Sequence, residues 1–200
     1  EEALQDSMIL RVKNQLKIRT EDVSFVIDEL KIMFEKDKRF SQVADFDNIG
    51  IFGHSFGGCT SIMSAYNDTR IDAVIGLDAY FLPLPKEIIK KDLNTPFVHL
   101  GQVSWGDSDN YEVMRELGKS SNQEFYHFAI EGSKHNDYTD FSQFTKLTRK
   151  FGSGKISSKN IRHIMNDVML GFFDYHLKNR SIFDHNQYQK KYESVKTYVY

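Results

Sequence analysis

The hexapeptide Gly53-His54-Ser55-Phe56-Gly57-Gly58 places a serine between glycines that lie two residues away on either side. This spacing is typical of a serine on a sharp turn between a strand and a helix, where side chains at the glycine positions would collide with the backbone. The turn exposes the hydroxyl, and the Phe56 N–H is expected to donate to an oxyanion beside it. The pattern predicts Ser55 as the nucleophile of an acyl transfer. The alternative is a glycine-rich turn with a surface serine.

A serine hydroxyl is a weak nucleophile until a base accepts its proton, so a histidine must lie near it. His135 is the one histidine that directly follows the last of the predicted parallel strands, in the loop 131–137. The others lie beside the serine, inside predicted strands, on the final helix or in the polar carboxyl-terminal segment: His54, His99, His127, His163, His176 and His185. We therefore predict His135 as the general base.

Three aspartates compete for the acid that orients the histidine. Asp78 closes the apolar run 73–77, where an ionised carboxylate is costly unless another group pairs with it. That cost favours Asp78, although a solvated aspartate at a strand end is the alternative. Asp107 and Asp109 follow the next predicted strand, which is the more usual position for the acid when the nucleophile is a serine on such a strand-to-helix turn.

Short apolar segments alternate with segments of helical periodicity along the chain. The predicted strands are 48–53, 70–78, 96–103 and 124–130, and the predicted helices are 20–36, 57–66, 86–93, 110–117 and a long one that begins at Ser157 or Ser158. Thr20 is expected to cap the first helix and Gly118 to end the fourth. This alternation predicts an α/β fold, with a mostly parallel sheet covered by helices on both faces.

Composition limits the possible functions. The 26 Lys and Arg residues against 28 Asp and Glu residues leave a net charge of −2, so no broad basic surface for nucleic acid is expected. The 16 Phe and 10 Tyr residues supply the apolar surface of one folded domain over residues 1–200. The single cysteine, Cys59, excludes an intramolecular disulfide and a multi-cysteine zinc site. No apolar run approaches the roughly 20 residues of a membrane span, and the predicted chemistry needs neither a metal nor a cofactor.

An apolar loop at 80–84 follows Asp78. Tyr80 and Phe81 are candidates for a substrate pocket, and the loop could instead pack on the neighbouring helix or contact a lipid surface. Packing or a pocket wall is favoured, because one short loop offers little area to a membrane. Trp105, and His54 beside the serine, are further pocket candidates.

Three segments in order resemble the platelet-activating factor acetylhydrolase family: residues 53–58, the stretch Gly-Leu-Asp-Ala-Tyr-Phe-Leu-Pro-Leu at 76–84, and Gly-Ser-Lys-His-Asn-Asp-Tyr-Thr-Asp-Phe at 132–141. The resemblance implies an α/β-hydrolase fold and a calcium-independent serine esterase that removes short or oxidised acyl chains from phospholipids. It implies a triad of Ser55, Asp78 and His135, and it does not place the acid at Asp107 or Asp109.

The family takes its second oxyanion donor from a glycine-containing loop far upstream of the nucleophile, whereas only 54 residues precede Ser55 here. We therefore expect the amino-terminal strands of the hydrolase sheet to be missing, as in the carboxyl-terminal portion of a longer protein. Two other functions stay open. One is a general carboxylesterase or dienelactone-hydrolase-like enzyme for small soluble esters, and the other is a non-catalytic binding protein of hydrolase fold.

Overall fold

A computed structural model describes residues 2–37, 39–40, 43–105, 109–180 and 182–200. The strands are Ile49–His54 (β1), Ile71–Leu77 (β2), Phe97–Gln102 (β3), Phe125–Ile130 (β4) and Val195–Val199 (β5). The helices are Glu2–Lys36 (α1), Phe56–Asn67 (α2), Lys86–Ile89 (α3), Asp109–Ser120 (α4), Phe141–Phe144 (α5), Ser158–Lys178 (α6) and His185–Lys191 (α7), with 3₁₀ helices at His135–Tyr138 and Lys146–Phe151.

The described strands form one sheet in the order β1-β2-β3-β4-β5. The first four run parallel, and β5 pairs antiparallel with β4. Parallel strands place their carboxyl ends at the same edge of a sheet, which is where open α/β sheets hold their ligands. The loops after β1, β2, β3 and β4 therefore meet at one edge, and the predicted mostly parallel sheet is confirmed.

Two apolar cores lie on opposite faces of the sheet. The first core joins α1, α2 and α4 to one face and includes the buried side chains of Leu16, Ile62 and Met114. The second core joins α6 and α7 to the other face and includes Ile164 and Phe172. The predicted covering of both faces by helices is confirmed.

A polar cluster fastens α1 to the turn before β2. Ser24 on α1 donates from its hydroxyl to Asp68 at 2.8 Å, and Arg70 bonds both Asp68 and Asp28. The Arg70 hydrogen bonds lower the pKa of Asp68 from 3.8 to about 2. Ion pairs and hydrogen bonds therefore hold α1 against the turn before β2, in addition to its apolar contacts with the first core.

Several predicted boundaries are wrong for identifiable reasons. Thr20 does not cap a helix, because α1 begins at Glu2 and the Thr20 hydroxyl donates to the Leu16 carbonyl at 2.8 Å. Gly118 lies inside α4 and is not its end. The predicted helix 86–93 covers only Lys86–Ile89, and α7 and β5 were not predicted at all.

The long final helix follows the prediction. Ser157 is its N-cap, and its hydroxyl accepts a hydrogen bond from the Asn160 N–H at 3.1 Å. None of the helices in the described ranges combines the length and apolar composition needed to cross a membrane. A single domain over residues 1–200 stays a prediction, as does the expectation of further strands in a longer protein.

Candidate active site

Ser55 occupies the turn between β1 and α2 with a left-handed backbone, at φ 57° and ψ −122°. Its N–H donates to the Leu77 carbonyl at 3.0 Å, and its own carbonyl accepts from the Gly58 and Tyr80 N–H groups, each at 3.0 Å. These bonds hold the turn against the end of β2. A serine in this conformation is strained, and strain of this kind is concentrated at functional sites.

The glycines around Ser55 are not equally constrained. A Cβ atom on Gly53 would lie 2.3 Å from the Gly57 backbone, and one on Gly58 would lie 2.5 Å from the Ala79 Cβ. A Cβ on Gly57 would meet nothing within 4 Å. The expectation that side chains would collide at both glycine positions of the motif is therefore right for Gly53 and wrong for Gly57. The second position of the turn at which a side chain would collide is Gly58.

Phe56 is the first residue of α2, so its N–H has no intrahelical acceptor. Among the described residues no hydrogen bond uses this N–H. It lies at a helix amino terminus, where the free N–H groups and the helix dipole favour negative charge. This position suits the oxyanion donor that the sequence assigns to Phe56.

Asp78 follows β2 directly, in a left-handed conformation with φ 42°. Its backbone N–H donates to the Leu100 carbonyl at 2.6 Å, which fixes it against the end of β3. The side chain is 0 % exposed. A buried carboxylate requires several donors, because the lost hydration must be replaced.

The Asp78 carboxylate has a donor on every side. Its Oδ1 accepts from the Gln102 N–H at 3.1 Å and from the Trp105 indole N–H at 3.0 Å, and the Tyr111 hydroxyl lies 3.5 Å from it. Its Oδ2 accepts from the Gln102 side-chain amide at 2.9 Å and lies 2.7 Å from Nδ1 of His135. These donors hold the carboxylate in one orientation. The alternative of a solvated aspartate at this strand end does not fit this burial.

His135 begins the 3₁₀ helix after β4, and its side chain is 36 % exposed. An ionised carboxylate can only accept, so the proton between it and the imidazole lies on Nδ1 of His135. Nε2 then carries the lone pair that a base needs. Within the described residues no hydrogen bond joins the Ser55 hydroxyl to His135. Contacts of this kind often tighten only when a substrate binds.

His54 lies against the predicted base. Its ring centroid is 4.4 Å from that of His135, and its Nε2 is 3.0 Å from the His135 carbonyl oxygen. Because a carbonyl only accepts, Nε2 of His54 carries the hydrogen. Burial lowers the pKa of His54, and the charge of a protonated His135 lowers it further. The side chain therefore supports the loop that carries His135.

Of the other residues predicted to line a pocket, one is buried in the core and two lie beside the candidate site. Phe81 is 0 % exposed and packs edge-on against Phe97 and His99, which favours the packing alternative for this residue. Tyr80 is partly exposed and stacks on Trp105, with ring centroids 5.7 Å apart. The candidate acid Asp107 lies outside the described residues, and Asp109 begins α4.

Gln102 and Tyr111 contact Asp78 but were not singled out from the sequence. Gln102 ends β3 and Tyr111 lies on α4, and the Tyr111 hydroxyl also donates to the Gln102 carbonyl at 2.5 Å. The sequence signal that could have identified Gln102 is its position at the carboxyl end of β3, the strand that pairs with β2 just before Asp78. Within the described residues no three His, Cys, Asp or Glu side chains are arranged to hold a metal ion.

Two buried histidines lie in β3 and β4 behind the acid. His99 and His127 have ring centroids 5.2 Å apart, and neither ring nitrogen of either residue has a hydrogen-bond partner among the described residues. Burial lowers the pKa of His99 well below 6.5 and that of His127 to about 4. Both rings are therefore neutral at pH 7, and Tyr111 packs against each of them.

Comparisons with known proteins find relatives and a structural neighbour of this chain. Curated platelet-activating factor acetylhydrolases from dog (Canis lupus familiaris) and chicken (Gallus gallus) are 29% and 28% identical, over 82% and 70% of this chain. The matches span only 35% and 34% of those proteins, so the chain covers about a third of their length. A ferulic acid esterase from Streptomyces cinnamoneus superposes with a TM-score of 0.70 at 24% identity, over 86% of this chain and 51% of the esterase.

The superposition on the esterase supports the α/β-hydrolase fold. The family model described as platelet-activating factor acetylhydrolase, isoform II, matches residues 7–198, which is nearly the whole sequence. This chain belongs to the platelet-activating factor acetylhydrolase, isoform II, family.

Proposed function

We propose that the protein is a serine hydrolase that cleaves carboxylic esters through an acyl-enzyme. The observation that carries this proposal is the 2.7 Å contact between Nδ1 of His135 and Oδ2 of Asp78, at the sheet edge that also holds the strained turn of Ser55. In this proposal Ser55 is the nucleophile, His135 the base and Asp78 the acid.

In the first half-reaction the Ser55 hydroxyl attacks the ester carbonyl carbon, and Nε2 of His135 takes the hydroxyl proton. The tetrahedral oxyanion accepts a hydrogen bond from the Phe56 N–H. The bond to the leaving alcohol then breaks, and the alcohol oxygen takes the proton from His135. The product of this step is an ester of Ser55.

In the second half-reaction His135 takes a proton from a water molecule that attacks the Ser55 ester. The acid product leaves, and the proton returns to the Ser55 oxygen. Asp78 holds the imidazole in the required tautomer and stabilises its charge while it is protonated. The two half-reactions together consume one water molecule and need neither a metal nor an organic cofactor.

We propose phospholipids with short or oxidised acyl chains as the substrate class. The family match and the similarity to platelet-activating factor acetylhydrolases from dog and chicken support this class. The loop 80–84 offers little to a membrane, since Phe81 is 0 % and Leu84 only 4 % exposed.

A better lipid-facing surface lies in the segment after the base. Phe144, Leu147 and Phe151 are 79 %, 58 % and 68 % exposed. The cations Arg149 and Lys150 lie between them, and both are exposed. Exposed apolar groups interleaved with cations are typical of peripheral contact with anionic lipid.

A general carboxylesterase for small soluble esters is the second candidate. The similarity to the ferulic acid esterase favours it, because that protein shares the fold across most of this chain. The two candidates use the same serine, so labelling of the serine does not separate them. They differ in whether an organised lipid surface raises the rate.

The first test is labelling with a fluorophosphonate, which reacts with activated serines. We expect one equivalent to bind to the wild-type protein and none to Ser55→Ala, while Ser61→Ala labels normally. Ser61 is the matched control, because it lies on α2, the helix that follows Ser55, and its hydroxyl already donates to the Gly57 carbonyl at 2.9 Å. Absence of labelling on the folded wild-type protein would favour the non-catalytic alternative.

The second test compares substrates. We expect hydrolysis of a short-chain phosphatidylcholine to rise sharply above its critical micelle concentration, whereas hydrolysis of p-nitrophenyl acetate follows simple saturation. Equal or better hydrolysis of the small ester, with no increase at the micelle transition, would assign the protein to the general carboxylesterases. Leu147→Ser should reduce the micellar rate and leave the small-ester rate unchanged.

A further inference from the structure

The single tryptophan of the sequence, Trp105, contacts both the acid and the base of the proposed triad. Its indole N–H donates to Oδ1 of Asp78 at 3.0 Å. Its ring meets the His135 imidazole edge-on, at 5.1 Å between centroids and 76° between planes. Tyr80 stacks on the indole at 5.7 Å and 9°. The indole is therefore held by two aromatic contacts and one hydrogen bond.

The other donors to Asp78 do not have this double contact. The backbone N–H and the side-chain amide of Gln102, at the end of β3, both donate to the carboxylate. The hydroxyl of Tyr111, on α4, lies 3.5 Å from Oδ1. Of these donors only Trp105 also has a ring contact with His135. It fixes the carboxylate and the imidazole relative to each other, whereas Gln102 and Tyr111 fix only the carboxylate.

We propose that Trp105 is a positioning residue that locks the Asp78 carboxylate and the His135 imidazole in their reactive orientation, with Tyr80 holding the indole in place. This inference rests on the proposed function for its catalytic meaning. The two contacts of the indole, its hydrogen bond to Asp78 and its packing against His135, can be measured without any substrate. The role differs from the pocket rim that the loop position of Trp105 suggests.

The fluorescence of the lone tryptophan tests the contact with His135. A cation within about 6 Å of an aromatic ring interacts with its electrons, so protonation of His135 should change the emission of Trp105. We expect acidification to change the wild-type emission and this response to be lost in His135→Gln. His54→Gln, which removes the other nearby imidazole, should keep the response. The same emission change in His135→Gln as in the wild-type protein would contradict the contact.

The variants Trp105→Phe and Trp105→His test the hydrogen bond. Phenylalanine keeps an aromatic ring but has no N–H, and loss of a hydrogen bond to a charged group should lower kcat for p-nitrophenyl acetate about tenfold, with KM changed less than about twofold. Histidine restores an N–H donor and should recover part of this loss. Equal losses in both variants, or none in Trp105→Phe, would overturn the proposal.

Proton NMR gives a readout that does not depend on turnover. The His135 Nδ1 proton, bonded to Asp78, should exchange faster with water in Trp105→Phe than in the wild-type protein, while Tyr80→Phe, which keeps the stack, should exchange at the wild-type rate. No change in Trp105→Phe would contradict positioning. If the wild-type protein hydrolyses no ester, the proposed function fails, but the exchange rate and the emission still decide the role of Trp105.

Discussion

Nδ1 of His135 lies 2.7 Å from Oδ2 of Asp78, although 57 residues separate the two along the chain. The distance is short because Asp78 directly follows β2 and His135 follows β4, and both strands run parallel in the same sheet. The strand between them, β3, supplies Gln102 and is followed by Trp105. The proposed acid–base pair is thus assembled at the ends of three neighbouring strands.

The variant Asp78→Asn should abolish most of the activity without unfolding the protein. The amide keeps the size of the side chain but cannot hold His135 in the tautomer that leaves Nε2 free. We expect kcat to fall by at least about a hundredfold, measured with p-nitrophenyl acetate. The same change at the rival position, Asp109→Asn, should alter kcat by less than about threefold. A larger loss at Asp109 would assign the acid there.

Alanine should be tolerated at Gly57 and not at Gly58. A Cβ at Gly58 would lie 2.5 Å from the Ala79 Cβ, whereas one at Gly57 meets open space. We expect Gly58→Ala to lower the free energy of unfolding by about 2 kcal/mol, and Gly57→Ala to change it by less than about 1 kcal/mol. Urea titration measures both. Equal destabilisation would show that the turn, and not the contact with Ala79, requires glycine.

Replacing His54 should weaken the support of the base. His54→Leu loses the hydrogen bond to the His135 carbonyl, and we expect kcat to fall about fivefold because the loop that carries the imidazole is freed. His54→Gln keeps an N–H donor and should fall less. Steady-state kinetics at pH 7.5 decides between them. If the leucine variant matches wild type, the 3.0 Å contact contributes nothing to positioning.

His127 should make the stability fall on acidification. Its pKa is about 4 in the folded protein, against an ordinary value of 6.5, because burial disfavours the charged ring. The unfolded chain therefore binds this proton first, and the contribution of neutral His127, present above pH 6.5, is lost as the pH falls to about 4. The loss amounts to about 3 kcal/mol.

Urea unfolding of the wild-type protein and of His127→Phe between pH 7 and 4 isolates this effect. Phenylalanine has nearly the same shape and gives up no hydrogen bond, since both ring nitrogens of His127 lack partners among the described residues. The variant should lose less stability over this interval than the wild-type protein. Parallel losses in both proteins would assign the acid sensitivity to other groups.

The four parallel strands β1 to β4 could be predicted from the sequence because their apolar runs are bounded by glycine, proline or charged residues. Each of these four strands falls within about one residue of its prediction. The first half of α1 could not be placed so well, because many of its apolar residues lie exposed, among them Leu10 and Ile18. Strand β5 shows an alternating pattern of β-branched residues at Val195, Thr197 and Val199. It was missed because its partner, β4, lies far away in the sequence, so no neighbouring segment indicates the pairing.

Ser55 was predicted as the nucleophile from its local motif. The apolar run before Asp78 favoured it as the acid, but local pattern alone left Asp107 and Asp109 open. The choice between Asp78 and Asp109 depends on which carboxylate faces His135, and strand register decides that. Leu77 pairs with Leu100, and this pairing brings Asp78 to Gln102. The bond from Trp105 depends on the same register, so no sequence pattern within its loop could reveal it.

The backbones of Ser55 and Asp78 both have positive φ, at 57° and 42°. Each conformation costs an L-residue on the order of 1 kcal/mol or more that glycine would not incur. Ser55→Gly would relax the turn and remove the hydroxyl in the same step. At Asp78 this cost is offset by the hydrogen bonds of the carboxylate, whereas at Ser55 selection for heat resistance and selection for reactivity oppose each other. Variants chosen only for a higher Tm should therefore accumulate glycine at position 55 at the expense of turnover.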